Sequence, residues 1–132
     1  MVHIVEELWI FSRDGIPLVE IFKDSKIDNV LIGGFLSAMK TFAQEMSGKI
    51  LNSLTIGAYN FYIAPSLKEH IFLVCKYDSK VKQKKIQKVM EIIMKFFEDM
   101  FSINDIENWD GDVSYFDKFK DKLELYFEVS QV

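Results

Sequence analysis

Residues 7–18 read ELWIFSRDGIPL. An apolar and aromatic run, short enough for a strand, breaks at Arg13-Asp14-Gly15 and resumes after it. Asp-Gly between two apolar runs is a strong hairpin signal, because glycine supplies the positive φ that a tight turn needs. The spacing predicts strands over residues 4–12 and 16–22. Pro17 has no N–H to donate, which puts it near a strand start or on a sheet edge.

Downstream, residues 23–28 form a polar connection, and Asp28 or Asn29 can cap a following helix. That helix is expected to reach about Met46, with Ser47-Gly48 as its stop signal. Strands are expected over residues 50–56, 59–64 and 71–77, with turns at Gly57-Ala58 and over residues 65–69. Asp78-Ser79 reads as the cap of a long helix ending near Phe101. Val89, Ile93, Phe96 and Met100 line its apolar face, broadened by Ile86, Met90 and Phe97. The segment SINDIENWDGD is expected to be irregular. A last helix spans about 114–128, with a stripe of Phe116, Phe119, Leu123 and Phe127 widened by Tyr115 and Tyr126. Short loops between strands imply antiparallel pairing, so the order β-β-α-β-β-β-α-α implies a layered α+β domain covering residues 1–132.

The composition excludes several classes. The 132 residues are 49% hydrophobic with 12 Phe and only 2 Pro, which supports a packed core and argues against disorder. A net charge of −4 argues against a general nucleic-acid binder. Cys75 is the single cysteine, so no intrachain disulfide forms and a reducing compartment fits. The start, MVHIVEELWIF, has Glu6 and Glu7 but no basic residue, unlike a secretory signal. No apolar run approaches the ~20 residues that cross a bilayer. A cytoplasmic location is expected.

Residues 32–46, IGGFLSAMKTFAQEM, place two glycines inside an amphipathic helix, where each costs about 1 kcal/mol relative to alanine. Neither a GxGxxG pattern nor a Gly-Lys-Ser/Thr ending is present, so a phosphate loop is not the reason. On a helical wheel Leu31, Phe35, Ala38, Met39, Phe42 and Met46 form the core stripe. A strip of Val30, Gly34, Ser37 and Thr41, bordered by Ala38, lies beside it. Small side chains let a neighbour approach the backbone closely. That neighbour is either part of the same molecule or a partner, most simply a second copy.

The catalytic inventory is thin. His3 and His70 lack the close His, Cys or carboxylate spacing of a zinc site. Cys75 sits in the apolar run IFLVCKY, where a free cysteine behaves as a small hydrophobe. Asp110 and Asp112 flank Gly111 without the ligand spacing of a calcium loop, and read as a loop and an N-cap. Arg13 is the only arginine, on a hairpin tip. An arginine supplied in trans can stabilise a phosphoryl-transfer transition state, which makes Arg13 a candidate GTPase contact, although a lone turn arginine is usually solvated. No enzyme activity, cofactor or metal is expected.

Lys76, Lys80, Lys82, Lys84, Lys85 and Lys88 cluster where the last strand meets the long helix. Cations in the first turns oppose the helix macrodipole, so helix stability does not explain them. Solvation of an exposed face does. The functional alternative is a patch, Lys80, Lys82, Lys84, Lys85 and Lys88, for an acidic partner or a peripheral contact with an anionic membrane.

The element order, the ELWIFSRDGIPL hairpin, the GGFLSAMKTFAQE helix and the NWDGDVSYFDKF stretch together resemble the longin family of domains, over nearly the whole chain. The likeness is greatest to free-standing longin-like proteins of prokaryotes, especially archaea. The resemblance implies a longin-like (profilin-like) three-layer α/β/α sandwich: a five-stranded antiparallel sheet with one helix on one face and two on the other. The related roadblock domains begin with a helix, whereas this chain begins with strands. Longin domains are mostly binding platforms in vesicle-trafficking machinery and in small-GTPase regulation, and often pair through the first helix and its adjacent strand. Carried onto this sequence, the implied interface is Val30, Gly33, Gly34, Ser37, Ala38 and Thr41 with Leu51, Ser53 and Thr55. The implied partners are a second copy, another longin or roadblock protein, or a small Ras-like GTPase. Unlike the longin SNAREs, the chain is expected to be a free-standing module, without a coiled coil or membrane anchor after Val132. A different class of function is a small-molecule sensor, with Phe11, Phe22, Phe61, Phe72 and the methionines lining an apolar pocket.

Overall fold

The computed structural model describes residues 4–21, 33, 34, 36–38, 41, 53–57 and 59–130. Strands β1 (Glu7–Ser12) and β2 (Pro17–Ile21) form the opening hairpin. Helix α1 is described at Gly33, Gly34, Leu36, Ser37, Ala38 and Thr41. Strands β3 (Ser53–Ile56), β4 (Tyr59–Ser66) and β5 (Ile71–Asp78) follow. The chain then forms α2 (Gln83–Met100), the short α3 (Ile103–Glu107), a 3-10 turn (Val113–Phe116) and α4 (Asp117–Ser130). The expected start and stop of the first helix, Val30 and Leu51 lie outside the described residues.

All strands pair antiparallel in the order β2-β1-β5-β4-β3. The central strand β5 is buried from Ile71 to Cys75, which is why IFLVC is a continuous apolar run instead of an alternating one. Register divides the side chains between two faces. Trp9 pairs with Val74, Phe11 with Phe72, Ile63 with Val74 and Leu54 with Phe61. This set packs with Leu36 of α1. Leu8, Ile10, Leu73 and Cys75 point the other way, into the core shared with Ile86, Met90, Ile93 and Phe97 of α2 and Phe119, Leu123 and Phe127 of α4. Three layers result, α/β/α, with the sheet in the middle.

Four local expectations are corrected. The N-cap of α2 is Lys82, with no side-chain cap, and not Asp78 or Ser79. Asp78 instead turns its Oδ1 to accept the Lys80 amide at 2.8 Å, an Asx turn that stops β5 before the helix begins. Pro65 lies in β4 and not in the turn. Among the described residues β3 pairs with Tyr59 to Tyr62, so Pro65 has a strand partner on its β5 side alone and needs no N–H on the other. The segment expected to be irregular holds α3, closed by a capping box in which the Asp105 amide donates to Ser102 Oγ and the Ser102 amide to Asp105 Oδ2. The last helix begins as a 3-10 turn, with α geometry only from Asp117. Among the described residues no helix is long and apolar enough to cross a membrane.

Candidate interaction surface

The two adjacent glycines of α1 have opposite roles. Gly33 is buried: a Cβ there would strike the Gly15 carbonyl and come within 2.8 Å of the Phe11 ring. In return, a Cβ on Gly15 would sit 2.9 Å from both the Gly33 carbonyl and Ser37 Oγ, and Gly15 itself has φ +85°. The hairpin turn and α1 therefore meet backbone to backbone, and both partners are glycine because any side chain would separate them. Gly34 faces out, with nothing within 4 Å of a Cβ. Ala38 and Thr41 are exposed beside it, and Ser37 is half-buried against the hairpin.

At the far end of the sheet, β3 pairs with β4 on one side only among the described residues. Ser53 and Thr55 are exposed, and Thr55 Oγ1 donates to Asn60 Oδ1 at 2.6 Å. Alternation sends both side chains to the face opposite Leu54, away from α1. The outward ridge of Gly34, Ala38 and Thr41 and the side chains of Ser53 and Thr55 thus lie on opposite faces. What β3 can share with the ridge is its backbone edge.

Arg13 is exposed and tethered. Its Nε donates to the Glu69 carbonyl at 3.3 Å, and its Nη2 lies 3.4 Å from His70 Nδ1. His70 closes its own turn through Nδ1 to the Leu67 carbonyl at 2.7 Å, and reaches α3 through Nε2 to Glu107 Oε1 at 3.0 Å. Three successive residues of this turn, Leu67, Lys68 and Glu69, have φ of 49°, 53° and 67°. Sequence reasoning had no signal for that left-handed run, since none of the three is glycine or asparagine.

Lys80, Lys82, Lys84, Lys85 and Lys88 are all exposed at the start of α2, with no ion pair among the described residues. Cys75 is fully buried, and burial pushes its thiol up to about 12, which keeps it protonated and unreactive. Among the described residues no cluster of His, Cys, Asp or Glu could hold a metal. Phe11 and Phe72 are buried and Phe61 packs on Trp9 at 6.3 Å between centroids, so these rings fill the core beneath α1. Phe22 lies outside the described residues.

The order of the five strands and the division of helices between the two faces decide the architecture. The fold is longin-like. Solved structures agree at low identity: Myxococcus xanthus MglB is 14% identical over 72% of this chain and 85% of its own, with a TM-score of 0.53. The Roadblock/LC7 domain from Streptomyces avermitilis is 10% identical, covers 69% of this chain and 80% of its own, and has a TM-score of 0.56. The gliding protein MglB from Thermus thermophilus is 13% identical, covers 63% and 67%, and has a TM-score of 0.52. At such identities the likeness is one of fold. The sequence matches no family model and no curated protein. Among the described residues α1 is the one helix on its face of the sheet, and the residues it exposes there are Gly34, Ala38 and Thr41.

Proposed function

We propose that the chain, as one domain over residues 1–132, is a non-catalytic interaction module that pairs with a second copy through the outer ridge of α1 and the free edge of β3. The observation that carries this reading is the exposure of Gly34, Ala38 and Thr41 beside an inward-packed Gly33. The helix already satisfies its close internal contact with one glycine, so the second is not needed for folding. An exposed mid-helix glycine costs about 1 kcal/mol relative to alanine, and close approach by a partner backbone is a physical return for that cost. The outer edge of β3, which has no second strand partner among the described residues, adds a second point of contact across a twofold axis. Val30 and Leu51 extend the proposed surface by sequence.

The resemblance to longin domains supports a small Ras-like GTPase, or another longin or roadblock protein, as the further partner. In this reading Arg13 contacts the GTPase from its tether on the Glu69 carbonyl, and the Lys80–Lys88 patch serves an anionic surface. The test is capture of GTPases encoded by the same genome, loaded with GDP or with a non-hydrolysable GTP analogue. Nucleotide-dependent capture that Arg13→Ala weakens supports the reading; equal retention of both forms, or none, removes the GTPase part.

A further inference from the structure

The two ends of the α2 layer carry opposite charge. Residues 80–88 hold five lysines and no carboxylate (Lys80, Lys82, Lys84, Lys85, Lys88). Residues 98–117 hold seven carboxylates and no lysine or arginine (Glu98, Asp99, Asp105, Glu107, Asp110, Asp112, Asp117). Helix α2 is 18 residues long, so it holds these ends about 27 Å apart, and neither can neutralise the other within one molecule. At such a distance the screened attraction through solvent is negligible. Neighbouring charges temper the contrast without reversing it: Lys95 precedes the acidic end in α2 and Lys118 and Lys120 follow it in α4, Arg13 reaches it through His70, whose Nε2 meets Glu107, and Asp78 lies beside the basic end.

The acidic end is also concave. A pocket of about 260 Å³ is lined by Trp109, Tyr115, Asp105, Asp110, Asn104 and Asn108. Trp109 packs edge-on against Phe116 at 5.4 Å, and Tyr115 leans on Phe101 at 5.3 Å. The indole N–H is spent on the Asp112 carbonyl at 2.8 Å, which fixes the ring. Asp105 and Asp110 each accept a backbone amide through one oxygen, Oδ2 and Oδ1 respectively. Each has a second carboxylate oxygen beyond that bond. Two aromatic rings beside two carboxylates are the chemistry that receives an ammonium group: aromatic rings attract a cation over their faces and the free carboxylate oxygens accept its N–H bonds. A long alkyl stem fits such a wall, since lysine carries its charge beyond four methylenes.

We infer that this pocket takes the lysine-rich start of α2 from a second copy, in a head-to-tail contact separate from the α1 ridge. The occupant is assigned by charge complementarity: the same chain displays the matching cations, exposed and unpaired among the described residues, at the opposite end. It also accounts for lysines placed where the helix dipole disfavours them. Because the two patches differ, the contact is heterologous, and it builds open chains of molecules unless the rotation closes a ring.

The experiment uses full-length chains that all carry Thr41→Arg, which removes the α1 contact from the readout. One chain has its lysine end reversed by Lys84→Glu/Lys85→Glu; a second has its pocket altered by Asp110→Asn/Tyr115→Ser, which adds no cation for the reversed end to meet; a third has neither. Circular dichroism melts confirm that each is folded. In sedimentation at low salt the third chain forms species heavier than either altered chain, and raising the salt dissociates them. Each altered chain alone stays at the same low mass. Their 1:1 mixture, which retains one intact pocket and one intact lysine end, forms a complex of twice that mass and nothing larger. Should the altered chains be as heavy as the third, or the mixture show no new species, the inference is overturned. It is overturned equally if the third chain does not self-associate yet binds a lysine-rich peptide. If the pocket variant does not fold, the lysine-reversed chain decides alone, since loss of salt-sensitive association there is still required. Failure of Thr41→Arg to alter the wild-type mass bears on the α1 reading and not on this one.

Discussion

Gly33 of α1 rests against the backbone of Gly15, the turn of the β1–β2 hairpin, so closely that neither position has room for a Cβ. Two residues 18 positions apart thereby lock the first helix onto the first hairpin. Gly33→Ala forces backbone or Phe11 to move, a cost of about 1–3 kcal/mol. Gly34→Ala meets nothing and gains about 1 kcal/mol of helix propensity. Urea melts of the two variants give shifts of opposite sign if α1 sits as described.

The turn at Leu67, Lys68 and Glu69 stores strain. Left-handed backbone costs roughly 1–2 kcal/mol for a residue with a Cβ, and three occur in succession. The arrangement is held by His70, which bonds the Leu67 carbonyl on one side and Glu107 on the other. Lys68→Gly relieves the strain and raises stability by up to about 1 kcal/mol, less the added freedom of the unfolded chain. Lys68→Val lowers it. Thermal melts of the pair supply the comparison.

Cys75 titrates in a direction that can be followed. Burial raises its folded value from 9.0 to about 12. Below pH 9 the thiol is protonated in both states and contributes no slope. Above pH 9 the unfolded chain releases the proton that the folded chain keeps, so stability falls as pH rises from about 9 towards 12. Cys75→Val removes that component, and its melting temperature declines less steeply through this window. A residual slope is expected, because Tyr62 and Tyr77 are also raised, chiefly by burial.

Ser102 and Asp105 bond reciprocally across the first turn of α3. Ser102→Ala costs about 1 kcal/mol. Adding Asp105→Ala costs less than its own single effect, since the box is already open. A double-mutant cycle by chemical denaturation measures the coupling.

The parts of the fold that were legible in the sequence are those with a period. The stripes recur at helical spacing: Ile86, Val89, Met90, Ile93 and Phe97 of α2 and Phe116, Phe119, Leu123 and Phe127 are buried as expected, whereas Phe96, Met100 and Tyr126 are only partly covered and Tyr115 is exposed. The Asp14-Gly15 hairpin carries its own turn chemistry. Helix α3 was missed, because five residues are too few to show a period; the capping pair Ser102-x-x-Asp105 is the signal that could have found it. Asp78 misleads because the side chain that caps a helix also closes an Asx turn, and only the path of the chain decides between them. The contrast between Gly33 and Gly34 was hidden, since the atom that distinguishes them is the carbonyl of Gly15, remote in sequence. The orientation of Ser53 and Thr55 depends on strand register, which moves every side chain to the other face when shifted by one residue.

The central claim is that the outward ridge of α1 is a surface for a second copy. Sedimentation equilibrium of the wild-type chain and of Thr41→Arg, at matched concentration and at salt high enough to suppress charge-driven contacts, tests it most directly. Wild type at twice the chain mass, with Thr41→Arg at the chain mass and an unchanged melting profile, is the expected result. A wild-type chain that remains at the single mass throughout, or a dimer indifferent to an arginine at position 41, contradicts it.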